Sequence, residues 1–212
     1  MNFHDFKAAF QYLPVFSGKD AAKLGERQTM YNQLNNWRRK GLILQLRRGL
    51  YVLGRSDQKV EPSGLFLAGQ LYAPSYVSLE YALGLHGLIP EMAPDITSVT
   101  TKNPAGFKTG LGSFTYQHIK REAFRGFRTA KDQAGLTYFI ADPEKAVVDF
   151  IYFNLARFKR GDGDVFTQSY RFQNLEILNL KKVMAYAGLF NNAKLNDITG
   201  EFRRFAQKEL RS

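Results

Sequence analysis

The sequence predicts an α+β protein in two parts: an N-terminal winged helix-turn-helix over residues 1–56, then a larger mixed α+β domain over residues 57–212. Three observations predict it. The first sixty residues read as three helices and two strands, with glycines at the turns between them. A polar stretch ending in proline, "RSDQKVEP" at residues 55–62, follows as a short linker. Beyond it, helical periodicities alternate with β-branched runs over about 150 residues, enough for a core of its own.

The elements follow in order. "NFHDFKAAFQYL" places Phe3, Phe6, Ala9, Phe10 and Leu13 on one helical face and leaves Lys7 and Gln11 to solvent, and Pro14 ends the helix. Ser17 offers a cap for a short second helix, "GKDAAKLG", which Gly25 closes. A third helix starts at Thr29, runs to Lys40 and stops at Gly41. "LILQL" and "LYVL" then read as strands joined by the basic loop "RRG". In the second part, "SGLFLAGQLY" and "SLEYALGLHGL" read as helices, the latter capped by Ser75 or Ser78. "ITSVTT", "GSFTYQHI" and "LTYFIA" are strands, and the glycine-rich "GFKTGLG" is a hairpin or loop. "DPEKAVVDFIYFNLARF" has Asp142 as cap, Pro143 at its first position and Ala146, Val147, Phe150, Ile151 and Leu155 on its buried face. "NLEILNLKKVMAYAGLF" and "DITGEFRRFAQKEL" read as two more helices, and no internal repeat is visible.

Composition narrows the function classes. The chain has no cysteine, which removes disulfides, thiolate metal ligands and a cysteine nucleophile. The N-terminus "MNFHDFKAAF" is too polar for a secretory signal, and no run approaches the roughly 20 apolar residues of a membrane helix. A cytoplasmic protein with no membrane partner is expected. The formal charge is +11, and residues 1–60 hold 11 Lys/Arg against 4 Asp/Glu while the rest hold 19 against 15. The excess therefore sits in the first third, where it favours a polyanion such as nucleic acid.

Geometry sharpens this on the third helix. Met30, Leu34 and Trp37 share one side and face the small core, while Gln28, Asn32, Asn35, Asn36 and Arg39 share the other, with Thr29 at the start. Asn and Gln suit the edge of adenine and Arg that of guanine. Adjacent asparagines inside a helix also cost helix propensity that Lys or Glu would not. Arg47 and Arg48 stand at the hairpin tip, placed to reach phosphates or a minor groove, with Gly49 supplying the turn. The DNA-binding set is thus Gln28, Thr29, Asn32, Asn35, Asn36, Arg39, Arg47 and Arg48. A solvated helix face and a hairpin tip that merely keeps an edge soluble are the plainer alternatives. Trp37 and Tyr51 are expected in the core.

No catalytic, cofactor or metal site is expected. His4, His86 and His118 lack metal-ligand spacing, and His86 reads as a helix-end residue. "GDGD" at residues 161–164 lacks the later ligands of a calcium loop, and "GFKTGLG" lacks the Walker lysine and serine. Asp142, Glu144 and Asp149 suggest paired carboxylates, but the first two lie at a helix N-terminus, where negative charge is favourable without chemistry.

The ordered segments "KGLILQLRRGLYVL", "PSYVSLEYALGLHGLIPE", "FTYQHI" and "IADPEKAVVDFIY" resemble the abortive-infection E-type (AbiEi) antitoxins and related transcriptional regulators, over residues 32–152. The second and fourth segments are the most telling, and after Arg160 no family motif is visible. The resemblance implies a bacterial protein whose winged helix binds inverted repeats in double-stranded DNA at its own promoter and represses it. It also implies a second domain acting as antitoxin against a nucleotidyltransferase-like toxin, functionally rather than as a stable complex. By position, the family's DNA-binding elements fall on the 28–40 helix and on Arg47 and Arg48. No antitoxin residue is assigned; Lys181, Lys182, Arg203 and Arg204 are candidates by charge or plain solvated faces. Alternatives from other classes are a stand-alone winged-helix regulator, a protein- or RNA-binding assembly module, and an enzyme with a DNA-targeting domain.

Overall fold

The computed structural model describes residues 1–161 and 163–211 and is mixed α+β. The first helix, α1 (Phe3–Phe10), starts at Asn2, whose side chain accepts from the Asp5 amide at 2.9 Å. Phe6 and Phe10 are buried, but Ala9 and Leu13 are exposed, contrary to the single face expected from sequence. Ala9 lies about 100° from Phe10 around the axis. The helix has ended before Leu13, so helical periodicity no longer governs it. A two-residue strand that the sequence did not announce, β1 (Phe16–Ser17), leads into α2 (Gly18–Ala21), extended by a 3-10 turn at Ala22–Leu24. Ser17 and Asp20 form a reciprocal capping box there.

The third helix, α3 (Arg27–Arg39), begins two residues before the expected Thr29. Glu26 makes this possible: its carboxylate accepts from the Gln28 amide at 2.8 Å and the Thr29 amide at 2.6 Å. After Gly41 (φ +70°), β2 (Ile43–Arg47) and β3 (Leu50–Leu53) form an antiparallel hairpin whose turn passes through Gly49 at φ +78°. β1 pairs along the other edge of β3, so the small sheet runs β1-β3-β2. Met30, Leu34 and Trp37 bury against Phe6, Phe10, Phe16, Ile43, Tyr51 and Leu53. Trp37 lies in this core as expected, with the Phe6 and Phe3 rings of α1 at 4.4 and 5.5 Å.

The stretch after β3 has no helix or strand before α4 (Gly64–Leu71), yet it is fastened to the end of α1. Lys7 pairs with Asp57 at 2.8 Å, the Gln58 side chain donates to the Pro14 carbonyl at 2.9 Å, and the Lys59 amide to that of Gln11 at 2.8 Å. Then come β4 (Ser75–Val77), α5 (Leu79–Leu85), β5 (Ile96–Thr100), β6 (Ala105–Thr109), β7 (Gly112–His118), β8 (Phe127–Lys131) and β9 (Thr137–Ala141). They build a six-stranded sheet ordered β6-β7-β5-β4-β9-β8, parallel at β4–β9 and β5–β7 and antiparallel elsewhere. The glycine-rich segment supplies most of β6 and the turn of the β6–β7 hairpin. β4, β6 and β8 were not visible in the sequence pattern.

Pleating assigns the helices to opposite faces. Val77, Ser98 and Tyr116 share one face by register, and the Tyr116 hydroxyl donates to the Ala68 carbonyl of α4 at 2.7 Å. Tyr76 points to the other face, where α6 (Pro143–Phe153) packs, backed by α7 (Leu180–Gly188) and α8 (Ala193–Glu209). Pro143 holds the first position of α6, but Asp142 makes no capping bond and accepts from Tyr186 instead, at 3.1 Å. Burial, with that contact, pushes the Tyr186 phenol up to about 12. Nor does α6 have the single buried face expected from its sequence: Glu144, Lys145, Val148 and Asp149 are buried too, and Leu155 falls in a half-buried 3-10 turn. Sheet, α5, α7 and α8 enclose it on every side.

The two hydrophobic clusters divide inside the small sheet. Leu46, Leu50 and Val52 belong to the larger cluster, while Ile43, Tyr51 and Leu53 belong to the smaller one. The hairpin is therefore a wall shared by both cores. No helix among the described residues is long and apolar enough to cross a membrane.

Candidate nucleic-acid interface

The outer face of α3 is built by its inner face. With Met30, Leu34 and Trp37 fixed in the core, the 100° step turns Gln28, Thr29, Asn32, Asn35, Asn36 and Arg39 outward, and all six are exposed. Among the described residues, Asn35, Asn36 and Arg39 make no side-chain hydrogen bond. Asn32 has only a 3.4 Å contact from Gln28 one turn earlier. The helix thus presents to solvent a row of donors and acceptors with almost no protein partners, at a cost in helix propensity that no internal contact offsets.

Thr29 fits less well. Its hydroxyl and amide both serve the Glu26 carboxylate, and these bonds hold that carboxyl below its ordinary value. Glu26 also sets a negative charge where the helix dipole would otherwise attract a phosphate. Positive charge gathers instead at Arg38, Arg39 and Lys40 in the last turn and at Arg27 in the first, where the guanidinium lies 5.9 Å from the Tyr31 ring centroid. Arg38 is tied to β2 by a hydrogen bond to Gln45, which fixes the hairpin against the end of α3.

Arg47 and Arg48 are exposed at the hairpin tip as expected, roughly 13 Å along the strand from Ile43, where β2 begins. The tip is not free, however. It borders a pocket shared with Gln70, Tyr72, Phe107 and Lys102, whose ammonium lies 5.3 Å from the Tyr72 ring centroid. Lys102 thus adds a third cation beside the two arginines, which no local pattern in "TTKNPAG" could signal. The remaining basic pairs, Lys181 with Lys182 and Arg203 with Arg204, are exposed on α7 and α8.

The sequence also missed a buried polar cluster. Asp149, fully buried, accepts from the Tyr76 hydroxyl and the Ser78 hydroxyl, each at 2.9 Å, and from the Lys145 ammonium one turn back on α6. Burial pushes the Asp149 carboxyl up and the Lys145 ammonium down, each opposed by the other's charge. Burial and the neighbouring carboxylate also raise the Tyr76 phenol well above its usual value, so it remains a donor. Ser78, expected as a cap for α5, makes no capping bond because its hydroxyl is spent here, and Ser75, the other candidate, lies on β4. The cluster is sealed from solvent and joins β4 to α6, a structural tie rather than a reactive site.

Elsewhere, His86 sits at the end of α5 with Nε2 2.9 Å from the Ala141 carbonyl. Glu144 accepts from the Asn179 amide at 2.9 Å, so the three carboxylates of this region all have structural partners. Among the described residues no three His, Asp or Glu side chains come together as a metal site requires, and Asp162 of "GDGD" lies outside the described residues. No model of a known protein family matches this chain, and no curated protein matches it.

Proposed function

We propose that this chain is a sequence-specific DNA-binding transcriptional regulator that reads base edges with the outer face of α3. The observation that carries the reading is the row Asn32, Asn35, Asn36 and Arg39, exposed, bidentate in chemistry and held internally, among the described residues, only by the 3.4 Å contact from Gln28 to Asn32. The element order helix, strand, helix, helix, strand, strand, with sheet order β1-β3-β2, supports a winged helix-turn-helix. In it α3 is the recognition helix and Arg47 and Arg48 are the phosphate contacts of the wing, with Lys102 beside them. Concentration of the positive charge in the first sixty residues supports the same assignment.

The resemblance to the AbiEi antitoxins extends the reading to an autorepressor of its own promoter, acting on inverted repeats and countering a nucleotidyltransferase-like toxin without a stable complex. The two segments most typical of that resemblance, "YVSLEYALGLHGLIPE" and "ADPEKAVVDF", meet in space through Tyr76, Ser78, Lys145 and Asp149. That contact gives the pair of segments a physical reason to occur together.

A binding titration at fixed salt tests the DNA reading, with the gene's own upstream duplex beside a random duplex of equal length. Binding about a thousandfold tighter to the upstream duplex is expected. Equal affinity for both duplexes sinks the reading. Rescue of growth from a co-expressed adjacent toxin gene tests the antitoxin role separately; specific DNA binding without rescue leaves a stand-alone regulator.

A further inference from the structure

Strands β4 and β9 run parallel but pair only at Val77, the last residue of β4, and Ile140. Where the start of β4 leaves β9, a cavity of about 360 Å³ opens between α4, the β8–β9 hairpin and the turn before β8. Its walls are aromatic: Phe66, Phe124, Phe127, Tyr138 and Phe139. Phe127 is held in place by stacking on the buried Tyr76 ring at 4.6 Å, whereas Phe139 stands 43% exposed at the rim. No charged side chain lines the cavity.

Two features indicate that the space is kept open rather than left by poor packing. Gly69 lies inside α4 and lines the cavity, yet a Cβ added there would meet nothing within 4 Å. Glycine is the poorest helix former after proline, so this position forgoes helix stability and gains no close packing in return. In addition, Ser75 is only 6% exposed at the wall, and its hydroxyl has no hydrogen-bond partner. A buried hydroxyl without a partner is unfavourable, and a turn about its one side-chain torsion is enough to redirect it.

We propose that this cleft binds a small, neutral, planar aromatic molecule carrying one hydrogen-bonding group. Aromatic walls select a flat ring through stacked and edge-on contacts. The lack of any charged lining excludes a carboxylate or phosphate, whose desolvation would go uncompensated. The volume lies at the small end of ligand sites, roughly 300–1,000 Å³, which suits one or two fused rings. Ser75 is the polar partner. The site is independent of the DNA reading.

The test is calorimetric titration of the full chain with 2-naphthol, beside naphthalene and 2-naphthoate. Saturable binding of 2-naphthol is expected, with 2-naphthoate at least tenfold weaker. Ser75→Ala should weaken 2-naphthol about fivefold, the value of one hydrogen bond, and leave naphthalene unchanged. Gly69→Leu, which fills open space on a helix, should abolish binding with an unchanged or raised melting temperature. Absence of saturable binding by 2-naphthol overturns the proposal. So does undiminished binding to a folded Gly69→Leu variant, or equal affinity for 2-naphthoate.

Discussion

Helices α3 and α6 are of similar length and both carry several polar side chains, but they use them in opposite ways. α3 buries three apolar residues and turns its asparagines and arginines to solvent, with the Asn35, Asn36 and Arg39 side chains free of internal hydrogen bonds among the described residues. α6 is enclosed on all sides, and its charged residues are spent on one another, on the Tyr76 and Ser78 hydroxyls and on the Asn179 amide. The contrast separates two meanings of a polar residue at an unexpected position. In α6 the polar groups are accounted for by the fold. In α3 the fold gives little account of them, which is the ground for the proposed external partner.

The largest effect should come from breaking the α6 arrangement. Lys145→Met leaves the buried Asp149 carboxylate without its countercharge and should destabilise the protein by about 3–5 kcal/mol in a denaturant titration. The double variant Lys145→Met/Asp149→Leu should recover part of that loss, because paired removal leaves no isolated charge. If the loss in the double variant equals the sum of the losses in Lys145→Met and Asp149→Leu alone, the two residues do not act as a pair.

On α3 the same experiment should behave differently. Asn32→Ala or Arg39→Ala should leave the melting temperature nearly unchanged and cost about 1–3 kcal/mol in binding to the specific duplex, with relaxed sequence preference. A matching loss on random DNA would remove Asn32 from base reading. Arg47→Ala and Arg48→Ala should weaken specific and random duplexes alike, each lowering the salt slope by about one. An unchanged slope would mean that the tip, held beside Lys102 and Tyr72, does not reach the backbone.

The smallest effect concerns acid. Hydrogen bonds from Ser17 and Lys23 hold the Asp20 carboxyl at about 2, below its ordinary 3.8. A depressed carboxylate adds stability above its unfolded value, and that contribution disappears as the pH falls through the folded one. Asp20→Asn should therefore be slightly less stable than the parent at neutral pH, and the two should converge towards pH 2. A gap that persists at low pH would assign the effect to packing rather than charge.

Much of α3 was legible because its information is local: the burial of Met30, Leu34 and Trp37 follows from helical spacing alone, and so does the exposure of the opposite face. Its start was misplaced because Glu26 is an unusual cap, and the sequence rule looks for Ser, Thr, Asp or Asn. Strands β6 and β8 escaped because they are the two edges of the sheet and bury little, and β4 because it is short and is defined by partners far along the chain. For the same reason Lys145 and Asp149 showed only as charges in an apolar helix. Their meaning depends on Tyr76 and Ser78, some seventy residues earlier. The aromatic cleft left no sequence signal at all, since its walls come from three separate segments.

The shared hairpin has a consequence for how such a protein can change. A reading head joined by a loose tether can be exchanged between bodies as a unit, and its specificity can drift freely. Here Leu46, Leu50 and Val52 are already committed to the neighbouring core, and only one side of the strand pair belongs to the head. Transplanting residues 1–56 onto a foreign partner would bare that apolar side, so a graft must carry the matching surface with it or rewrite those three positions. Under the proposed DNA reading, new sequence preference is therefore expected to arise through the outer residues of α3, which belong to neither core.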